Sequence, residues 1–242
     1  MSRFKLIMMS VAAVALVGAF SSASAMAAPH FSTCLNVGSG KGQWEDSACS
    51  KAKSGGGWET SAVSSSLEAS GTGGVAKLKS ELLSAEILIT CNKNTITSAA
   101  TFLETEGKSK GEVVFEECKV GNSKETFVNC EVPNIKFKYT DQLVLNSEGI
   151  VQDEFKGVEK EGTQFVEISI KNKEAKSCTQ KGTFPVTGTQ LALLPEPHVF
   201  KRLHLLNFST ADSHLTFNGK SATFEGNDEI ELLSGAFFAI SL

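Results

Sequence analysis

The sequence predicts an all-β fold, an antiparallel β-sandwich or barrel-like domain that follows a small N-terminal element containing tryptophan and cysteine. Apolar and polar residues alternate at 135–140 and again at 166–171, which is typical of half-buried antiparallel strands. Asn218-Gly219 separates two further short runs and suits the two-residue turn of a β-hairpin. No run after Leu83 has a capped apolar stripe of helical period.

Residues 1–27 have the composition of a secretory signal peptide. Arg3 and Lys5 precede an apolar core at 6–20, and small residues follow at 23–27. The core is shorter than the ~20 residues that a membrane-spanning helix needs. We therefore expect a secreted, extracellular protein without stable membrane insertion after cleavage.

The mature chain divides by composition into three parts. Residues 28–59 are predicted as a small Cys/Trp-containing element, residues 60–74 as a Ser/Gly-rich linker, and residues 75–242 as the main all-β domain. The small element contains a short repeat, in which GQWEDSA at 42–48 recurs as GGWETSA at 56–62.

Trp44 and Trp58 occupy equivalent positions in that repeat and are the candidate binding residues. Large aromatic side chains usually pack in the protein interior, which predicts a hairpin or meander whose two tryptophans share one apolar patch. The alternative is a pair of exposed rings that stack on sugars or on a partner protein.

Within the main domain, short runs with turn signals between them predict successive strands. Residues 75–83 fit either two helical turns or a strand, and their period of two favours the strand. The apolar runs 87–89 and 113–115 each lead into a cysteine, and the chain is predicted to end with strands at 230–233 and 236–242.

The charge of the chain argues against polyanionic partners. Removal of Arg3 and Lys5 with the signal changes the formal net charge from −4 to −6, and Arg202 is the one arginine left. Binding to a phosphate backbone needs dense positive charge. We therefore expect no nucleic-acid partner and no attraction to anionic membranes.

All six cysteines lie in the mature part, and an even number in an exported chain predicts three disulfides. Local turns favour pairing Cys34 with Cys49 and Cys118 with Cys130, which leaves Cys91 for Cys178. The competing pattern joins Cys91 to Cys118 and Cys130 to Cys178. Under the first pattern the Cys91–Cys178 bridge closes the longest loop, so its loss should destabilise the main domain most.

The sequence contains no motif that assigns catalysis, a metal or a cofactor. His198, His204 and His214 lie near Asp212, but no nucleophile elbow and no zinc-binding motif accompanies them. The carboxylates at 116–117, 153–154 and 228–231 fit the solvated faces of strands. We therefore predict no catalytic residue, no metal and no cofactor.

Several motifs together resemble a group of secreted, cysteine-containing, β-rich proteins of actinobacteria. They are QWEDSAC at 43–49, GEVVFEEC at 111–118, GTFPVTG at 182–188 and ATFEG at 222–226. The similarity covers residues 34–242 and rests on glycines, aromatic residues and cysteines. The group has no assigned activity, so the resemblance implies export and a shared fold but no catalytic residue.

Two functions follow as expectations. A secreted, non-enzymatic binding or structural protein, extracellular or associated with the cell envelope, is favoured because the distinctive residues belong to the framework. Its unknown ligand would be a carbohydrate or a protein. The alternative is a secreted hydrolase that acts on polysaccharide through two carboxylates in a cleft.

Overall fold

The structure, a computed structural model, describes residues 27–242. The predicted signal peptide therefore lies, apart from its last residue, outside the described residues. The all-β fold is confirmed: strands dominate the described chain, and one short helix, α1 (Glu159–Gly162), and a 3-10 turn at Thr105–Gly107 accompany them. None of the described helices has the length and apolar character needed to span a membrane.

Five strands form a small antiparallel sheet in the order β17-β1-β4-β2-β3. They are β1 (His30–Asn36), β2 (Gly42–Trp44), β3 (Ala52–Gly56), β4 (Trp58–Ala62) and β17 (Phe238–Ser241).

The other twelve strands form one large antiparallel sheet. They are β5 (Leu67–Gly73), β6 (Ala76–Leu82), β7 (Ala85–Ile96), β8 (Phe102–Leu103), β9 (Lys108–Gly121), β10 (Cys130–Glu131), β11 (Ile135–Leu145), β12 (Val151–Gly157), β13 (Gln164–Asn172), β14 (Gly182–Leu193), β15 (Leu203–Phe217) and β16 (Lys220–Leu232).

Eight strands of the large sheet pair in a closed circuit. The order is β9, β7, β6, β16, β15, β14, β12 and β11, and the β11–β9 pairing completes the circuit. Of the two predicted architectures, this is the barrel-like one. We call the circuit the strand ring. Its inward-facing side chains form most of the hydrophobic core.

Strand β14 pairs with two partners along the same edge. Residues 182–187 pair with β13 and residues 189–193 pair with β12. Gly188 stands between the two segments at φ +109°, and a Cβ atom there would lie 2.2 Å from the backbone oxygen of His214. Glycine therefore allows both the strand conformation and the close approach of β15.

Two local predictions are confirmed. Residues 76–82 form a strand whose burial alternates at every residue, as the period of two indicated. Asn218 and Gly219 join β15 to β16 with φ values of 50° and 76°, both in the left-handed region that a type I′ turn requires.

The predicted linker at residues 60–74 is wrong, because these residues include the end of β4 and all of β5. Strand β5 pairs with β16, β7 and β8. Its small residues allow neighbouring strands to pack closely, because a Cβ atom on Gly71 would lie 2.3 Å from the backbone oxygen of Glu229. Glycine thus marks a tight strand contact here rather than a flexible segment.

The small sheet also crosses the predicted boundary at residue 75. Strand β17, from the C-terminal end of the chain, pairs with β1, with Phe31 opposite Ile240. Phe31 and Ile240 both belong to the core cluster that includes the strand ring. The two sheets therefore share one core.

The disulfide prediction is correct for one bridge and wrong for the other two. Cys34 pairs with Cys49 as expected, but Cys91 pairs with Cys118 and Cys130 with Cys178. Cys91 and Cys118 lie directly opposite each other on β7 and β9. Cys130 begins β10, whose pairing with the end of β13 brings it beside the loop that carries Cys178.

Candidate functional site

A cavity of about 110 Å³ lies inside the strand ring. Apolar side chains from β6, β7, β9, β11, β12, β13, β14, β15 and β16 form most of its wall. Six phenylalanines contribute rings to it: Phe115, Phe137, Phe155, Phe165, Phe208 and Phe224. These rings pack edge to face or offset on one another, with centroids 5.3–6.0 Å apart in the Phe115–Phe224 and Phe155–Phe208 pairs. Three side chains in the wall carry polar atoms: Gln190, Asp228 and Tyr139.

Gln190 of β14 lines this cavity and carries an unpartnered acceptor. Its Nε2 donates to the backbone oxygens of Leu191, Ser209 and Asp212, at 2.9, 3.4 and 3.4 Å. Three oxygens around one nitrogen fix the orientation of the amide, because the reversed amide would place oxygen against oxygen. The Oε1 atom is buried and has no hydrogen-bond partner.

A bulge in β15 supplies two of those oxygens. Phe208 pairs with Gly226 and Leu215 pairs with Ala222, so β15 has extra residues that β16 does not match. The pairing of β15 with β14 shifts register at the same place, between Gln190 and Ala192. Bulges commonly redirect groups near functional sites. This one directs the Ser209 and Asp212 carbonyls toward the Gln190 side chain.

Asp228 of β16 places a buried carboxyl group in the cavity wall. It is 7% exposed and accepts a hydrogen bond from the side chain of Asn94 on β7. Burial raises its pKa to about 6, and the Asn94 bond opposes that rise. Gly73 of β5 makes the contact possible, because a Cβ atom there would lie 2.1 Å from Asp228 Oδ1 and 2.3 Å from Asn94 Nδ2.

Tyr139 of β11 lies over the backbone of β9. A Cβ atom on Gly111 would lie 2.4 Å from the Tyr139 Oη atom, so glycine is required beneath the ring. Thr101 hydrogen-bonds the phenol. Burial raises the Tyr139 pKa well above its usual value, and the charges of Asp141, Asp153 and Asp228 add to the rise. The phenol is therefore neutral at physiological pH.

Asp141 and Asp153 form a buried acid pair beyond Tyr139. They lie on β11 and β12, where Asp141 is opposite Phe155 and Leu143 is opposite Asp153, so the two side chains are diagonal neighbours. Their carboxyl groups hydrogen-bond each other, and Ser109 Oγ donates to Asp141 Oδ1. Burial raises the pKa of both groups. The pair therefore retains a shared proton at neutral pH.

The acidic groups have no basic counterpart among the ion pairs of residues 27–242, all of which join lysines to glutamates. Three buried oxygens also lack a partner: Gln190 Oε1, Asn94 Oδ1 and Asp153 Oδ1. All three are acceptors. The interior of the strand ring therefore offers hydrogen-bond acceptors and negative charge, and it has a shortage of donors.

Trp44 and Trp58, the binding residues predicted from the repeat, lie directly opposite each other on β2 and β4. Both are half-buried. The repeated glycines explain the pairing, because a Cβ atom on Gly42 would lie 2.2 Å from the Trp58 oxygen and one on Gly56 would lie 2.0 Å from the Trp44 oxygen. The two copies thus pack reciprocally, and neither tryptophan lines the cavity.

The three histidines considered as catalytic candidates do not form a common site. His198 Nδ1 and His204 Nε2 each lie 2.8 Å from a backbone oxygen of the C-terminal segment, those of Ile240 and Phe238. His204 is buried against the Phe238 ring, and burial lowers its pKa. His214 is exposed. Across residues 27–242, no cluster of three or more potential metal-binding side chains is present.

The interpretation of 153–154 and 228–231 as purely solvated faces is wrong at Asp153 and Asp228, which are buried. A signal for Asp228, and for Asp141, exists in the sequence. Asp141 continues the inward series of Ile135 and Tyr139, and Asp228 begins the series that ends at Leu232. A polar residue in the buried phase of a strand indicates an interior polar site, whereas Gln190 has no comparable signal.

Comparisons of this chain with protein-family models, with curated proteins and with solved structures found no match.

Proposed function

We propose that the protein is an exported, non-enzymatic binding protein that holds a small apolar ligand inside its strand ring. The observation that carries this proposal is the cavity: an apolar, aromatic wall with a small number of oriented polar groups is typical of a ligand site. Three disulfides fit an oxidising, extracellular environment.

The size of the cavity limits the ligand. Its volume of about 110 Å³ compares with an engineered apolar cavity of roughly 150 Å³ that remains dry and binds benzene. The apolar part of the ligand is therefore no larger than a single ring or a short branched chain. A polysaccharide chain does not fit this space, which shifts the expected ligand away from carbohydrate.

The hydrolase alternative gains no support from the acid pair. Glycoside hydrolysis uses two carboxyl groups about 5–10 Å apart with the sugar between them. Asp141 and Asp153 instead hydrogen-bond each other, and their exposures are only 6% and 5%. Substrate cannot come between two groups that share a proton.

A second binding role is favoured by the tryptophan pair. Trp44 and Trp58 share one face of the small sheet, and both keep part of their surface exposed. Stacking on a sugar or a partner protein would use that surface. Quenching of tryptophan fluorescence by soluble glycans tests this role, because the chain has two tryptophans and both lie here.

The main proposal is tested by filling the cavity. Ala76 is buried in the cavity wall, and Ala76→Val adds two methyl groups to it. Ala62→Val makes the same change at an exposed position of β4 and serves as the control. We expect toluene and benzyl alcohol to shift the methyl resonances of the wild type and of Ala62→Val, and Ala76→Val to bind them at least tenfold more weakly. Absence of binding to the wild type, or equal binding by both variants, would refute the proposal.

A further inference from the structure

We infer that the natural ligand is a small apolar amine, whose ammonium group binds the Asp228 carboxylate and Gln190 Oε1 inside the strand ring. This inference rests on the proposed function and adds the chemical class of the ligand. Its basis is the imbalance between acceptors and donors that surrounds the cavity.

The side-chain amide donors of Gln190 and Asn94 are already engaged. Gln190 Nε2 donates to three backbone oxygens, and the Asn94 side chain donates to Asp228. Gln190 Oε1 remains free, and its orientation is fixed by the β15 bulge. A ligand that satisfies this site must therefore donate hydrogen bonds. An ammonium group carries three N–H donors, whereas a hydroxyl carries one.

Charge favours the ammonium group further. An isolated carboxylate in an apolar interior is strongly disfavoured, and a partner of opposite charge relieves that cost. Asp228 takes part in none of the ion pairs among the described residues. A bound cation would supply the missing charge.

The aromatic wall suits a cation as well. Six phenylalanine rings and Tyr139 surround the cavity. The face of an aromatic ring attracts a cation within about 6 Å of its centre. The apolar part of an amine would pack on these rings by the hydrophobic effect.

The neighbours of Asp228 determine the expected pH dependence. Asn94 on β7, Gly73 on β5 and Leu206 on β15 do not titrate. Tyr139 on β11 remains neutral, whereas burial raises the Asp141 pKa to about 7, so the Asp141–Asp153 pair on β11 and β12 also titrates near neutral pH. Asp228 is the titrating carboxyl group that lines the cavity, and the Asp228→Asn variant isolates its share of the pH dependence between about pH 5 and about pH 7.5.

With a pKa of about 6, Asp228 is mostly protonated at about pH 5 and almost fully ionised at about pH 7.5. Amine affinity should therefore rise about tenfold over this interval. A neutral ligand of the same shape should show no such rise. The comparison separates recognition of charge from simple filling of the cavity.

The experiment is a titration of the mature protein with benzylamine, benzyl alcohol and toluene, followed by methyl NMR at both pH values. Asp228→Asn is isosteric and removes the charge, and Glu229→Gln makes the same change at the exposed neighbouring residue. We expect benzylamine to bind the wild type at least tenfold more tightly than benzyl alcohol at the higher pH. Asp228→Asn should lose this preference, and Glu229→Gln should keep it.

The outcomes distinguish the two proposals. If benzyl alcohol and toluene bind but benzylamine binds no better, the amine inference is overturned and the cavity function stands. If none of the three binds, so that buried water alone satisfies the free acceptors, both are overturned. Binding of benzyl alcohol by Asp228→Asn shows that its cavity is intact. Should that variant fail to fold, the pH dependence in the wild type decides between the alternatives.

Discussion

The free energy of unfolding should respond to pH through Asp228, and Asp228→Asn isolates that response. The folded-state pKa of about 6 lies above the ordinary value of 3.8. A carboxyl group with a raised folded pKa stabilises the fold while it is protonated, and that contribution is lost as the pH rises through the folded value. Ionisation of Asp228 in the folded protein therefore costs up to about 3 kcal/mol at high pH.

The measurable quantity is the difference in unfolding free energy between variant and wild type at two pH values. Between about pH 8 and about pH 5 the wild type should gain about 1.4 kcal/mol from protonation of Asp228, because the carboxyl group of the unfolded chain is still ionised at about pH 5 and the rest of the gain comes at lower pH. Asparagine does not titrate and gains nothing. The stability of Asp228→Asn relative to wild type should therefore be greatest at about pH 8.

Other buried groups titrate in the same pH interval. The difference in unfolding free energy between variant and wild type is therefore needed to isolate Asp228. Burial lowers the pKa of His204, so its contribution has the opposite sign and is lost as the pH falls below its ordinary 6.5. The Asp141–Asp153 pair also contributes. Both terms are common to variant and wild type and cancel in the difference.

Urea denaturation with the disulfides intact, monitored by circular dichroism at both pH values, provides the free energies. Glu229→Gln is the matched control, since Glu229 is exposed. A difference between Asp228→Asn and wild type that stays constant from about pH 8 to about pH 5 would refute the reasoning. It would show that the Asp228 side chain is solvated in the folded protein.

Two further predictions concern the small sheet and the disulfides. Gly56→Ala should destabilise the protein by about 1–3 kcal/mol, because its Cβ atom would lie 2.0 Å from the Trp44 oxygen, and tryptophan emission should shift. Gly57→Ala, whose nearest contact would be 3.9 Å, should change neither. Replacing both cysteines of the Cys130–Cys178 bridge by alanine should cost about 4 kcal/mol in thermal or urea unfolding, against about 3 kcal/mol for Cys34–Cys49, by loop-closure entropy. Equal losses for the two bridges would contradict that ranking, and non-reducing peptide maps identify the pairs.

The sequence by itself determined several of the strands. Alternation at 135–140 and 166–171, the Asn218-Gly219 turn and the period of two at 76–82 all correspond to strands or turns in the structure. These signals are local: a strand with one buried face repeats every two residues whatever its partner. Chain order likewise indicated the pairing of Cys34 with Cys49, because that bridge closes within one local element.

Tertiary structure decided which strands become neighbours and therefore which cysteines pair. Cys91 meets Cys118 because β7 lies beside β9, and Cys178 meets Cys130 because β10 pairs with β13. Strand pairing depends on the summed packing of the whole sheet, which no short window contains. The same limit explains why glycines at 60–74 suggested flexibility when they mark close contacts.

The candidate site was decided almost entirely by closure of the strand ring. Asp141 and Asp228 stand in the buried phase of their strands, so their burial was accessible from alternation. Their convergence with Gln190 was not, because β11, β14 and β16 meet around the cavity only after the circuit closes. Local periodicity gives the direction of a side chain, whereas the place to which it points is a property of the completed fold.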